Sequence, residues 1–583
     1  LDNKKSLFGR KPIPALVILA LIACAVFIVW RVLREGGDGE TAFYFGVDLS
    51  YVNEVEDCGA VFLEGGIPQD PYDIFENHGA NLVRARLWHD PTWTDYSTLE
   101  DVKKTFSRAE QAGMATLLDF HYSDDWADPG TQNIPAAWED IEDLDELAQA
   151  VYQYTYDVLL ELDREGLMPD FVQVGNETNS GMLKKVMELD WSRDAKLFNA
   201  GIQAVRDAAK KTHTSPQIIL HIAQPENTGW WFREAQSNGV TDFDVIGISY
   251  YPQWSSYSIT DMGSQVTYLR QAFGKEVMVV ETAYPWTYDA APETADNILN
   301  TGLRGYPASP AGQRQFMIDL TQSLINNGAL GVVYWEPAWV STECFTRWGQ
   351  GSHWENATFF DFQNGNELHE GIDFLSYPYL YPTKLADGIV EEDYGEPLLQ
   401  DATSDNLEQH PHLDLAKLYV TQDADSLFIA LEIAGDIFTE QWGSYLVYMD
   451  TTHDAQGAIE DVGKRPITVA DPYKPEFRLD MRVVERNDTV NGNYEFYAWD
   501  GESWQAVTLT GGAAIQNGDT SVIEVQIPLA TLGFPQIVNL GVVSTGRGRV
   551  HTAGDILGSA SSPADWSAPV TLDQFGQFNI SYP

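Results

Sequence analysis

Apolar residues in the middle of this chain fall in short runs, each followed by a longer stretch of mixed polarity. Eight such runs, at 43–49, 81–87, 115–121, 171–175, 217–222, 244–250, 276–281 and 331–335, have the near-continuous apolar character of parallel strands covered on both faces. Between them, 99–111, 141–164, 193–211 and 313–326 are amphipathic or charged, with the spacing of helices that bury one side. Strict alternation of this kind over roughly 340 residues predicts a (β/α)8 barrel, an α/β fold of the TIM type. A doubly wound open sheet is the competing topology. Its glycine-rich phosphate turn after the first strand is missing, since Gly46-Val47-Asp48-Leu49-Ser50 is no such turn.

Two other patterns flank the barrel. Residues 13–30 are uncharged and apolar, and at about 1.5 Å per residue they would reach roughly 27 Å, close to a hydrocarbon core. Lys4, Lys5, Arg10 and Lys11 precede this run, and Arg31 and Arg34 end it. The heavier basic flank predicts a cytoplasmic N-terminus, one transmembrane helix and everything after it outside the cell, tethered by Gly36–Glu40. No small-residue cleavage site follows, so a retained anchor is expected over a secreted chain, and the apolar tail after Cys24 argues against lipoprotein processing. Beyond about residue 384, short alternating runs at 416–420, 426–433, 445–449, 477–483, 494–499, 521–527 and 539–544 predict an antiparallel β-sandwich. The expected division is therefore 1–40 stub, anchor and tether, 41–383 catalytic barrel, and 384–583 sandwich.

Composition narrows the partners. Against 86 acidic side chains stand 35 Lys and Arg, a net charge of −51, which repels nucleic acid phosphates and anionic lipid heads and leaves neutral substrates favoured. Eighteen Trp and 27 Tyr supply flat rings of the kind that stack on sugars, although most such rings fill cores. Cys24, Cys58 and Cys344 form no disulfide framework; Cys58 to Cys344 is the one bridge open to the part beyond the anchor, and the sequence gives little reason to expect it. A monomer is expected.

The strand ends carry the chemistry, because barrel active sites are built from the C-terminal ends of different strands. Here those ends read Asp48, Arg86, His121, Asn176 with Glu177, Tyr250 with Tyr251, Glu281, and Trp335 with Glu336. Glu177 and Glu281 close the fourth and seventh strands and would face each other across the mouth. Two carboxyls about 5–5.5 Å apart suit retaining glycoside hydrolysis, and about 6.5–9.5 Å the inverting kind. Arg86 beside the nucleophile would keep it ionised, and Asn176 would bond a sugar 2-hydroxyl. No HExxH or clustered His is present for metal hydrolysis.

Several segments then resemble one family. They are 170–179, 277–286, Gly331-Val332-Val333-Tyr334-Trp335-Glu336-Pro337-Ala338-Trp339, and His121-Tyr122-Ser123-Asp124-Asp125-Trp126-Ala127-Asp128-Pro129. Together they are similar to glycoside hydrolase family 53, the arabinogalactan endo-β-1,4-galactanases, a retaining clan A family, over residues 43–380. The resemblance implies Glu177 as acid/base, Glu281 as nucleophile, β-1,4-galactan as substrate and no required cofactor. It implies sugar contacts from Arg86, His121, Trp126, Asp128, Tyr250 and Trp335, to which Asp48, Asn176 and Trp286 are added; Tyr250 is preferred to Tyr251 by clan analogy. Another clan A endoglycanase acting on mannan or glucan, or a non-catalytic surface glycan-binding protein, are the alternatives. Bacterial members often carry a calcium loop after strand 7, but 284–296 here has lost the ligand spacing, which puts barrel calcium in doubt. The C-terminal stretch is similar to the sandwich appended to glucodextranases. In it Trp442, Trp499 and Trp504 are candidates for a glycan platform, and Asp450 and Asp454 for a structural calcium, a solvated acidic turn being the other reading.

Overall fold

The computed structural model describes residues 43–582 apart from 292–295, 403, 453–456, 488, 549 and 560–562. The run expected to span a membrane lies outside the described residues; among those described, no helix is long and apolar enough to cross one. From Tyr44 onward the chain forms one compact unit.

Eight parallel strands close into a barrel: β1 (Tyr44–Asp48), β2 (Leu82–Leu87), β3 (Ala115–Phe120), β4 (Phe171–Val174), β5 (Gln217–Ala223), β6 (Val245–Ser249), β7 (Glu276–Thr282) and β8 (Gly331–Tyr334). Each pairs with the next, and β1 pairs with β8 to complete the ring. The outer helices are α1 (Val52–Asp57), α2 (Pro71–Asn77), α3 (Leu99–Gln111), α4 (Leu144–Arg164), α5 (Trp191–Thr212), α6 (Pro225–Ser237), α7 (Ile259–Phe273) and α8 (Pro310–Asn326). Helix ends differ from the periodicity by a turn or less, for reasons of capping. Asp143 accepts from Asp145 and Glu146 N–H and so starts α4 three residues later than predicted, while Ser309 with Pro310 starts α8 earlier.

Strand alternation sorts the barrel interior into layers. Leu82, Leu117, Phe171, Ile219 and Val245 point inward and join Met278, Val280, Leu330 and Val333 in an apolar plug. Two residues further along the first four of these strands, the same inward row becomes polar: Arg84, Asp119, Gln173 and His221, all buried. That switch from plug to polar layer is the floor of the site.

After β8, the chain runs through long loops, a small hairpin (Phe345–Thr346 paired with Gly349–Gln350) and a 3-10 stretch (Glu370–Ser376) before entering a mostly-sheet region. Every C-terminal run predicted from alternation is a strand: β9 (Leu415–Gln422), β10 (Ser426–Ile433), β11 (Gly443–Asp450), β12 (Phe477–Arg486), β13 (Thr489–Trp499), β14 (Ser521–Pro528) and β15 (Ile537–Gly546). With shorter partners they make a five-stranded and a seven-stranded antiparallel sheet that share one apolar core, with Leu418, Ile429 and Val525 from the first meeting Val447, Leu479 and Val542 from the second. This region is fastened to the barrel flank. Thr260 of α7 donates to Leu509 O (2.8 Å), Asn493 donates to Asp261 Oδ1 (3.0 Å), and Asn326 of α8 donates to Thr510 O (2.9 Å).

Cys58 and Cys344 form a disulfide, against the sequence expectation. The reason is topological: β1 and β8 are neighbours in the closed ring, so the loops after them meet although 286 residues separate the two cysteines.

Candidate active site

Glu177 stands where β4 ends. Gly175 turns the chain with φ of 85°, and a Cβ there would meet Thr178 Cγ2 at 2.6 Å, so glycine is needed at this bend. Glu177 itself takes φ of 44°, and Tyr122, Gln224 and Glu336 are also left-handed just past β3, β5 and β8. Such conformations cost about 1–3 kcal/mol each and collect at functional sites, where they turn side chains into the cleft.

Above the polar layer opens a cleft of about 910 Å³, lined by Asp128, Asn176, Glu177, Tyr251 and Glu281. Its walls are aromatic: Trp126, Trp254, Trp335, Trp339, Trp348 and Trp354. Trp335 meets Trp354 edge to face at 4.6 Å, and Trp126 lies 5.8 Å from Trp335. Flat rings, from the buried Trp354 to the exposed Trp254, around a few convergent polar groups make a site for a ligand with apolar faces and hydroxyl edges, such as a pyranose.

The two glutamates share this cleft in unlike settings. Glu281 Oε1 lies 2.8 Å from Arg84 Nη2, and its Oε2 accepts from Tyr251 Oη at 3.1 Å. Glu177 Oε1 accepts from Ser249 Oγ at 2.6 Å. Burial pushes both carboxyls above the ordinary carboxylate range. The charge of Glu281 pushes Glu177 further up, whereas Arg84 and the Tyr251 hydroxyl pull Glu281 back. Glu281 therefore gives up its proton first and Glu177 keeps one, a division of acid from anion set by environment.

Arg84 organises the floor. Besides Glu281 it reaches Asp48 Oδ2 (2.8 Å), Asp119 Oδ2 (2.8 Å) and Asn176 Oδ1 (3.0 Å), tying four other elements to β2 through one guanidinium. Burial alone would raise the Asp119 carboxyl, but Arg84 and His121 outweigh it and hold it below the ordinary range. His121 Nε2 lies 3.0 Å from Asp119 Oδ2 and its Nδ1 accepts from Ala127 N at 3.1 Å, which fixes the segment leading to Asp128.

The structure thus sorts the predicted residues. Glu177, Glu281, Asn176, Trp126, Asp128 and Trp335 line the cleft. Asp48 and His121 are buried beneath it as supports. Three expectations need correction. Arg86 does not neighbour Glu281: it sits one inward step higher on β2, pairs with Glu336 (3.2 Å), and lies over the rings of Trp126 (4.3 Å) and Tyr51 (4.6 Å), so Arg84 takes the expected place. Tyr250 turns away and donates to Tyr257 O (2.9 Å), because it alternates with Tyr251, whose hydroxyl is the one on Glu281. Trp286 is buried outside the cleft, with Nε1 donating to Glu355 O (3.2 Å) and its ring on Phe362 and His369. The missed residues Arg84, Asp119, Gln173, His221 and Ser249 all carry the inward parity of their strands, a signal available without coordinates. Trp348 and Trp354 come from long loops, which offer no such signal.

Outside the barrel, Asp450 is buried and lies beside Asn539 Nδ2 (3.2 Å), while Asp454 is outside the described residues. Among the described residues Asp401, Asp405 and Asp555 are the carboxylates that bring oxygens within 4.8 Å of one another and could hold a cation. The expected tryptophan platform does not assemble. Trp499 and Trp504 pair across strands at 5.6 Å near the Asp450 end of β11, whereas Trp442 precedes its other end and packs on His412 and Trp566.

A closed (β/α)8 barrel with a half-buried glutamate after β4 and a buried one on β7 in an aromatic cleft defines the glycoside hydrolase class of this fold. Residues 44–374 match the family described as Glycosyl hydrolase family 53, and the chain belongs to that family. It is 49% identical over 365 residues to an arabinogalactan endo-β-1,4-galactanase of Cellvibrio japonicus (strain Ueda107), covering 62% of this chain and 97% of that protein. It is 36% identical over 315 residues to an endo-β-1,4-galactanase of Bacillus subtilis (strain 168), covering 51% of this chain and 70% of that one. The solved catalytic domain from Ignisphaera aggregans, also of family 53, superposes with a TM-score of 0.54 at 33% identity, covering 59% of this chain and 98% of that one.

Proposed function

We propose that this protein is an endo-β-1,4-galactanase that cleaves internal galactosidic bonds with retention. The observation that carries the reaction is the unequal pair in one cleft, Glu281 bound by Arg84 and Tyr251 and Glu177 beside Ser249. The names of the galactanases it resembles support the substrate. In the first step a Glu281 oxygen attacks the anomeric carbon, and Glu177 gives its proton to the departing sugar oxygen as that bond breaks. In the second, Glu177 takes a proton from water, the hydroxide equivalent attacks the same carbon, and the bond to Glu281 breaks to return the carboxylate. Arg84 and Tyr251 compensate the charge on Glu281 at the start and end of the cycle, and Asn176, its amide held by Arg84 and by Ala127 O, lines the cleft next to Glu177.

Trp335 supplies an aromatic face of the wall for the sugar ring to stack on, and Asp128 and Trp126 extend the contacts along the cleft. The two C-terminal sheets read as a β-sandwich that holds the barrel at a set attitude through its contacts with α7 and α8. Residues 13–30 read as a retained anchor that keeps the enzyme on the outer face of the cell membrane. The test is hydrolysis of linear β-1,4-galactan against β-mannan, with the anomer of the first product followed by NMR. Galactan cleavage giving the β-anomer first is expected; preference for mannan, or an α-anomer first, would reject the reading. Glu177→Ala and Glu281→Ala should each lower kcat on galactan by about 10³-fold or more with the fold intact.

A further inference from the structure

Behind the cleft face of Glu177 runs a line of hydrogen bonds that the double displacement leaves without a role. Ser249 Oγ lies 2.6 Å from Glu177 Oε1 and 2.8 Å from His221 Nε2. The other ring nitrogen, His221 Nδ1, accepts from the Glu177 backbone N at 3.4 Å and lies 3.0 Å from Gln173 Nε2. Ser249 and His221 are both fully buried. His221 comes from β5 and Ser249 from the end of β6, and neither lines the cleft.

The direction of these bonds follows from counting hydrogens. A backbone N–H has a direction fixed by the chain, and that of Glu177 is aimed at Nδ1, so Nδ1 is the accepting nitrogen. Asn176 Oδ1 also lies near Nδ1, at 2.9 Å, but it already accepts from Arg84 and Gln173, and its own amide nitrogen is spent on Ala127 O. Burial, with the charge of Arg84, holds His221 well below the ordinary histidine range, so the ring is neutral and its single hydrogen sits on Nε2. That hydrogen is donated to Ser249 Oγ. A hydroxyl has one hydrogen of its own, and Ser249 therefore donates it to Glu177 Oε1. In a protonated carboxyl the carbonyl oxygen is the better acceptor, so a hydrogen bond donated to Oε1 at 2.6 Å favours the acidic proton on Oε2.

We propose that Ser249 and His221 are positioning residues that make Glu177 Oε1 a permanent acceptor and so confine the transferable proton to Oε2. The proposal rests on Glu177 being the acid/base. It gives the acid one reactive oxygen in both half-reactions, and it lowers the affinity of Glu177 for its proton by stabilising the carboxylate. The other groups facing this line are Glu281, Asp128 and Arg84 at Glu177, and Arg84, Asp119 and His121 at His221. All of them stay in place when Ser249 is changed.

The test is the pH profile of kcat/KM for Ser249→Ala, His221→Leu and His221→Gln, on galactan and on a galacto-oligosaccharide carrying a dinitrophenolate leaving group, which needs no proton. Ser249→Ala should move the alkaline limb up by roughly half to one pH unit. It should lower kcat on galactan by about 10-fold and leave the first step on the activated substrate within about 2-fold. His221→Leu should move the limb the same way, and His221→Gln, which keeps an N–H donor at that end of the side chain, should restore it towards the parent. An unmoved alkaline limb in Ser249→Ala, or equal losses on both substrates at every pH, would overturn the proposal. If Glu177→Gln still cleaved galactan, the parent assignment would fail instead, and the two failures are distinct.

Discussion

Two buried guanidiniums invite comparison. Arg84 in the barrel and Arg478 in the sheet region are each 1% exposed, and each binds carboxylates on neighbouring strands or loops. Arg478 belongs to a balanced group: Asp461 and Asp480 are its partners, Arg465 also faces Asp461, and Arg482 reaches Asp480 and Glu495. Three cations meet three carboxylates, and Tyr448 caps Asp461 from within the core. Arg84 is, among the described residues, the one guanidinium at ion-pair distance from Asp48, Asp119 and Glu281, with Glu177 close by and His121 beside Asp119. Similar parts make a closed, satisfied cluster in one place and an anion-rich, open one in the other. Burial, with the neighbouring negative charge added to it, is what keeps a proton within reach on Glu177 and Glu281, and the cleft is what exposes it to a substrate.

The sharpest way to break this comparison is to remove each arginine in turn. Arg84→Met leaves Asp48 and Asp119 buried without a cation and should cost about 3–5 kcal/mol, with kcat on galactan falling about 10³-fold. Arg478→Met leaves Arg465 and Arg482 behind and should cost about 1–3 kcal/mol with kcat unchanged. Urea unfolding and galactan kinetics on both variants decide it; equal stability losses would contradict the charge imbalance.

Next in size is the tyrosine pair. Tyr251→Phe removes a donor from Glu281, so its proton is held more tightly and the acid limb of kcat/KM should move to higher pH, with kcat down about 10-fold or more. In the parent enzyme that limb should already lie above the ordinary glutamate value of 4.5, since burial raises Glu281. Activity is lost as pH falls through this limb because the nucleophile becomes protonated. Tyr250→Phe should cost about 1 kcal/mol of stability through the lost bond to Tyr257 and leave both limbs in place.

A smaller effect concerns the disulfide. The hairpin beyond Cys344 carries Trp348 to the cleft wall and Arg347 to Asp125 (2.7 Å). Cys58→Ser with Cys344→Ser should loosen this wall and raise KM for galactan about 2- to 5-fold with kcat nearly constant. An unchanged KM would show that the Arg347 contact suffices. The smallest expectation separates the sheet-region tryptophans: Trp499→Ala and Trp442→Ala should each leave kcat on soluble galactan within about 2-fold, since neither reaches the cleft. A loss of binding to insoluble galactan in one of them alone would locate a glycan contact at that end of the sheets.

Much of this was legible beforehand. Short apolar runs gave eight strands within two residues of their final bounds, and alternation gave the main strands of the C-terminal sheets, because burial on two faces or on one leaves a direct trace in polarity. Glu177 and Glu281 were legible because a carboxylate ending an apolar strand has no packing reason to be there. Arg84 was passed over for Arg86 although both have inward parity, since parity gives the face and not the depth. Depth depends on how strands stagger around the closed ring: Arg84 is in register with Asp48 and its guanidinium also reaches Asp119, while Arg86, though in register with Asp119, lies over the rings of the aromatic layer.

By itself, then, the sequence determined the barrel, the sheets, the two glutamates and the family. The tertiary structure decided which arginine and which tyrosine serve Glu281, that Cys58 meets Cys344, and that Ser249 and His221 stand behind Glu177. Local patterns record whether a side chain is buried, a property of one residue and its neighbours in the chain. Pairings between strands depend on ring closure and stagger, which the whole chain settles together.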